Sequence, residues 1–175
     1  MSKAFTDEEA AEQPRIVPPR APLPEGIPNY VTEAGLAQLH AELANLDRER
    51  AASGATPESD ARKQDLDALA QRRAALEARI ASAEVAPLPP EPHASVRFGA
   101  SVCVADAAGG EHRYQIVGVD EADAANGKIA FVSPLARALL GAAVGDSVKL
   151  RAPRGDEELE IVSIEYRPGR DGGLA

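Results

Sequence analysis

The sequence predicts an α+β protein: an N-terminal antiparallel helical hairpin, a coiled coil, followed by a small β domain with one short helix. Three observations point there. Leucines recur at alternating three- and four-residue spacing on both sides of SGATPESDARKQ, residues 53–64. A proline cluster, Pro87, Pro89, Pro90 and Pro92, follows the second leucine run. Beyond it, apolar residues alternate in short runs separated by Gly- and Asp-bearing turns.

Residues 1–28 carry Pro14, Pro18, Pro19, Pro22, Pro24 and Pro28 among charges. Such a composition buries too little to offset ordering entropy, so a disordered acidic, Pro-rich tail is expected. The hairpin is expected over 29–86. Tyr30–Gly35 opens its first helix, with Thr32 as N-cap and Glu33 in the favourable first turn. Leu36, Leu39, Leu43 and Leu46 form the first seam, and the helix runs to about Ala52. Leu66, Leu69, Arg73, Leu76, Ile80 and Ala83 form the second, with Arg73 the discordant member. Neither stripe is stable alone, so the two fold back on each other. The prolines end the second helix and make a stiff linker over 87–95.

The β domain is expected over 96–168, with a flexible tail at 169–175. Its strands are Ser101–Val104, His112–Gly118, Lys128–Val132, Val148–Leu150 and Leu159–Ile164, with a turn at Arg154-Gly155-Asp156. Pro134–Leu140 is the short helix, opened by Ser133 as N-cap with Pro134 at its first position.

Composition narrows the function classes. Aromatics make up 3% of the chain and Trp is absent, so the 44% hydrophobic share is mostly Ala, Leu and Val. Alanine favours helix but buries little area, so a compact core must come from a smaller part of the chain. A formal charge of −9 argues against a free-standing binder of duplex DNA, which needs clustered Lys and Arg. The single cysteine, Cys103, excludes an internal disulfide and any Cys-rich zinc site, and within Val102-Cys103-Val104 it reads as a packed strand thiol. His40, His93 and His112 show no metal-ligand spacing, and no nucleophile–base constellation is present. No run approaches the ~20 apolar residues of a membrane span. MSKAFTDEEAAEQ lacks the apolar core of a secretory signal. A cytoplasmic monomer with no membrane partner and no cofactor of its own is expected.

Four segments of the β region, RFGASVCVAD, HRYQIVGVDEAD, SPLARALLGAAVGDSVKL and ELEIVSIEY, resemble the C-terminal domain of the bacterial GreA/GreB transcript-cleavage factors, most closely the GreB side. IPNYVTEAGLAQLHAEL resembles the start of that family's coiled coil, and MSKAFT resembles its long-tailed members. The resemblance spans roughly residues 27–167. It implies an FKBP-like C-terminal domain that binds RNA polymerase at the mouth of its secondary channel, and a coiled coil that enters the channel. It also implies acidic tip residues that help hold Mg²⁺ jointly with the polymerase active site, where backtracked RNA is cut at its 3′ end. Two-metal hydrolysis needs carboxylates to hold the second ion and orient the water. Such a factor is not itself an enzyme, and it meets DNA only through the elongation complex.

The tip departs from the family pattern. Thr56-Pro57-Glu58-Ser59-Asp60-Ala61-Arg62-Lys63 lacks that pattern's Glu-Asn pair and its Tyr. The hairpin also counts about seven residues shorter, which would shorten its reach by about 5 Å. Glu58 and Asp60 have two readings. Either they are displaced tip carboxylates, or Ser59 or Asp60 caps the second helix and Glu58 faces solvent. Arg62, Lys63, Arg72, Arg73 and Arg79 likewise read as a basic stretch, RNA-facing by the resemblance, or as a solvated face balanced by Asp65, Asp67 and Glu77. Val132 stands where the family often has Asp, before Ser133-Pro134, so the polymerase contact that the resemblance implies at Val132, Ser133 and Pro134 would lack a charge; the other reading is that Ser133 merely caps the helix. Three functions compete: a Gre-type elongation factor, a cleavage-inactive occupant of the same channel, and a stand-alone FKBP-like binding module. Scarce aromatics weigh against the last.

Overall fold

The computed structural model describes residue 20 and residues 22–54, 59–87, 89, 94–152 and 155–166. Two helices of 22 residues, α1 (Glu33–Gly54) and α2 (Asp60–Ala81), form the rod. Each is about 33 Å long. Thr32 caps α1 by accepting from Gly35 N at 3.0 Å, and Ser59 caps α2 by accepting from Arg62 N at 3.2 Å. The two runs are longer toward the tip than expected. Alanine-rich Ala51-Ala52 carries α1 on to Gly54, and the Ser59 cap starts α2 at once, so Arg62 and Lys63 are helical.

Leu39, Leu46 and Leu76 are buried between the helices, with Leu36, Leu43, Leu69 and Ile80 packed around them. Arg73 sits at the edge of this seam. It reaches Asp47 across the hairpin at 2.8 Å and Glu77 along its own helix at 2.9 Å.

The rod's base differs from expectation. Tyr30 and Val31 belong to strand β1 (Asn29–Val31), not to the first helix. α2 ends at Ala81, well before Pro87, and strand β2 (Ala83–Val85) follows. The two short strands pair in parallel, Asn29 with Ala83 and Val31 with Val85. Val31 seals the bottom of the leucine core. Buried Asn29 donates from Nδ2 to Arg79 O at 2.9 Å and to Ser82 Oγ at 3.1 Å, fastening the chain that enters the rod to the chain that leaves it.

The β domain comprises β3 (Ala100–Asp106), β4 (Glu111–Val117), β5 (Lys128–Ala130), helix α3 (Pro134–Leu139), β6 (Ser147–Ala152) and β7 (Gly155–Tyr166). The sheet order is β5-β4-β3-β7-β6; β4 and β5 run parallel and the other pairs antiparallel. β7 is longer than its apolar alternation suggests. Gly155 already pairs with Ala152, so Gly155 and Asp156 are strand rather than turn. Val102, Val104, Ile116, Leu159 and Ile161 meet Ala136 and Leu139 of α3 in one core. Cys103 is buried, and burial followed by the Glu111 charge pushes its thiol pKa up, as a packed rather than reactive cysteine requires.

The β3–β4 turn is organised by Asp106, whose Oδ1 accepts from Ala108 N and Gly110 N, each at 2.8 Å. Those donors hold its carboxyl below the ordinary value of 3.8, Gly110 first, then His112 and Ala108. A depressed carboxylate contributes stability that is present above the unfolded value and lost as pH falls through the folded one. Asp106→Asn should therefore narrow the stability gap to the parent below pH 3.8. Melting temperatures of the two proteins should converge there and differ at about pH 5 and above; a constant difference at all pH values would contradict this.

The assignments of 1–19 to a tail, of 90–93 to the linker and of 167–175 to domain end and tail lie outside the described residues. Arg20 and residues 22–28 are placed, and Arg20 contacts both the rod and the β domain.

Candidate functional site

Glu58, one of the two tip carboxylates singled out in the sequence, lies outside the described residues. Asp60 is exposed in the first turn of α2, where its charge complements the helix N-terminus. Ser59 makes the cap. Among the described residues, no three or more His, Cys, Asp or Glu side chains converge as metal ligands. Magnesium keeps several waters and is commonly held by one or two carboxylates together with phosphate oxygens, so Asp60 by itself could supply only part of such a shell.

The basic stretch divides, and Arg79 leaves it, being buried at the base of the rod beside Asp120 rather than on a solvated or RNA-facing surface. Arg62 and Lys63 stand at the tip end of α2, where Lys63 is exposed. Arg72 and Arg73 lie farther down the rod and face acids of α1: Arg72 is 3.8 Å from Glu49, and Arg73 is 2.8 Å from Asp47. These exposed pairs fix the helices' mutual register more than they add stability.

Val132, Ser133 and Pro134 form the lead-in to α3. Ser133 Oγ accepts from Ala136 N at 3.2 Å and Pro134 occupies the first helical turn, as the sequence suggested. Immediately before them, Phe131 packs edge-on against Phe98 at 5.6 Å and against Tyr30, from β1, at 5.9 Å. Tyr30 also meets Phe98 at 5.9 Å. The base of the rod is thus pressed against the β domain beside the Ser-Pro segment.

The junction between rod and β domain contains two carboxylates that sequence reasoning missed. Asp120 and Glu121 lie on a 3-10 turn, Val119–Glu121, after β4. The Glu121 side chain is 8% exposed, a costly place for a carboxylate unless donors surround it. Its Oε1 accepts from Thr32 N at 2.9 Å and from Gly118 N at 3.2 Å, and its Oε2 accepts from Thr32 Oγ1. Asp120 grips elsewhere. Arg20 Nη1 donates to its Oδ1 at 2.6 Å, Arg79 Nε stands 3.3 Å from its Oδ2, and Arg20 Nη2 also reaches Glu42 of α1 at 2.5 Å. The available signal was Gly35. A Cβ there would sit 2.0 Å from Glu121 Cδ, so a glycine inside the first turn of a helix marks the close approach of another group.

A profile described as "Transcription elongation factor, GreA/GreB, C-term" matches residues 91–166. Transcription elongation factor GreA of Anaeromyxobacter sp. (strain K) is 38% identical over 140 residues, covering 79% of this chain and 78% of the relative. Transcription elongation factor GreB of Neisseria meningitidis is 51% identical over 71 residues, 41% of this chain and 44% of the relative. The expected leaning toward GreB is therefore carried by a short match, while the long match bears the GreA name. Among solved structures, a GreA/GreB elongation factor from Nitrosomonas europaea aligns over 78% of this chain and 98% of its own, at 24% identity and a TM-score of 0.41. With 38% identity over 140 aligned residues that span 78% of a GreA protein, the chain belongs to the GreA/GreB family of transcription elongation factors, which are accessory factors rather than enzymes.

Proposed function

We propose that this chain docks on RNA polymerase through its β domain and inserts the helical rod into the secondary channel to modulate elongation. The observation that carries this reading is the rod: two 22-residue helices, sealed by a leucine seam and clasped at the base by β1 and β2, beside the Val132-Ser133-Pro134 segment. A sealed pair about 33 Å long is a probe that keeps its shape inside a narrow channel. Polymerase contact falls to the edge formed by half-buried Ser133 and exposed Pro134, with Val132 supplying an apolar rather than a charged side chain.

At the far end, Glu58 and Asp60 are the carboxylates available to a backtracked RNA 3′ end. Any magnesium ion there is held jointly with the polymerase's own active site, this chain lending oxygens only. Arg62 and Lys63 supply phosphate attraction near the tip. Arg72 and Arg73, already paired with α1, contribute less.

The test is a time course of labelled RNA in stalled, backtracked elongation complexes. Cleavage above the intrinsic rate is expected from the parent protein, and a Glu58→Ala, Asp60→Ala double variant should return it to the intrinsic rate. A second reading is favoured by Ser59 and Asp60 serving as ordinary helix-start residues: the rod occupies the channel without chemistry. It predicts competition with an active cleavage factor and no cleavage of its own. Failure to bind polymerase would overturn both.

A further inference from the structure

We propose that Asp120 and Glu121 form a two-sided latch that fixes the direction in which the rod leaves the β domain, with Arg20 as the strap that closes it. In this role all three are positioning residues. The proposal rests on the reading of the rod as an inserted probe.

Domains joined by a proline-rich connector move relative to one another unless something fixes them. The aromatic contact of Tyr30 with Phe98 and Phe131 holds the two parts together, but apolar attraction is non-directional and does not set an angle. Hydrogen bonds to a carboxylate do. Glu121 binds the backbone and side chain of Thr32, the cap of α1, so it holds the first turn of one helix. Asp120, the adjacent residue, faces Arg79 near the end of the other helix through charge, with Arg79 Nε 3.3 Å from its Oδ2, and takes its hydrogen bond from Arg20. Two neighbouring carboxylates thus grip the two helices separately, which opposes tilting of the rod. Arg20 adds a third line by bridging Asp120 to Glu42, in the third turn of α1. The approach is built for this contact, since any side chain at Gly35 would collide with Glu121. Direction matters because an error of about 1 Å where groups must meet can cost roughly 100-fold in rate.

The experiment measures rod direction in the free, full-length chain. Cys103→Ser removes the single native thiol, and spin labels are placed through Ala51→Cys on the outer part of α1 and Val144→Cys on the β domain, both exposed. The parent should give one narrow distance distribution. Asp120→Ala with Glu121→Ala should broaden it about twofold or more while far-UV helicity is retained. Glu121→Gln alone should restore most of the narrowness, because its amide oxygen still accepts from Thr32 N and Gly118 N. A distribution of unchanged width in the double alanine variant would overturn the latch. Should that variant lose helicity, Arg20→Met decides, because the strap lies outside both cores: broadening supports the latch and an unchanged width overturns it. None of these readouts needs polymerase, so they stand or fall apart from the cleavage assay. In that assay, at saturating factor, the double variant should still bind but lose about tenfold or more in cleavage.

Discussion

Leu76→Ala is expected to remove about 2–5 kcal/mol from the stability of the rod. Leu76 is 1% exposed and sits in the cluster with Val31, Leu39 and Leu46. Truncation removes the burial of several methyl and methylene groups and leaves a void as well. The void cannot close easily. The helices are held at a set spacing by the β1–β2 clasp at their base and in register by Arg73–Asp47, so the walls have little freedom to shift inward. The loss should appear in urea denaturation followed at the helical far-UV signal. It should leave the β domain's own core intact, since that core comprises different residues. A loss below about 1 kcal/mol would mean that the seam is not a packed core.

Gly118→Ala should damage the junction, although the backbone there is ordinary. Gly118 has φ −64° and ψ 165°, a conformation open to any residue. The obstacle is space. A Cβ would stand 2.6 Å from the backbone oxygen of Tyr30 and 2.8 Å from Glu121 Oε1. A side-chain oxygen can swing aside, but the Tyr30 carbonyl belongs to β1, whose place is set by its pairing with β2 and by Val31 in the rod core. The whole base of the rod must therefore move away from the β domain. A cost of about 1–3 kcal/mol is expected, typical of overpacking. It should be accompanied by faster hydrogen exchange at the Thr32 amide, which would lose its Glu121 acceptor. Unchanged stability and unchanged exchange at Thr32 would show that the contact is not tight.

The rod and most of the strands were legible because their periodicities are long enough to read. Four leucines at three-four-three spacing mark one face of α1, and the alternation around Val102 marks β3. Ser133-Pro134 announced α3 by chemistry rather than by period. The β1–β2 clasp was not legible. Three-residue strands carry no alternation to detect, and their parallel partner lies on the other side of two helices. Asp120 and Glu121 were missed for a related reason. Two acids after a strand look like a solvated turn, and only tertiary structure brings Thr32, Arg20 and Arg79 to them. Arg73 was noticed as an oddity on the seam, and the structure explains it through Asp47, 26 residues away in sequence.

β7 is the last strand among the described residues, yet it lies inside the sheet, between β3 and β6. It pairs with residues far upstream, Tyr166 opposite Ala100 and Leu159 opposite Asp106. During synthesis the helical rod, built from local contacts, can form early and fast, whereas the sheet must wait for its final dozen residues. Until then β3 has a bare edge and β6 has no strand beside it. A nonsense codon or proteolytic cut just before Gly155 would thus leave a folded rod on an unfinished, aggregation-prone platform.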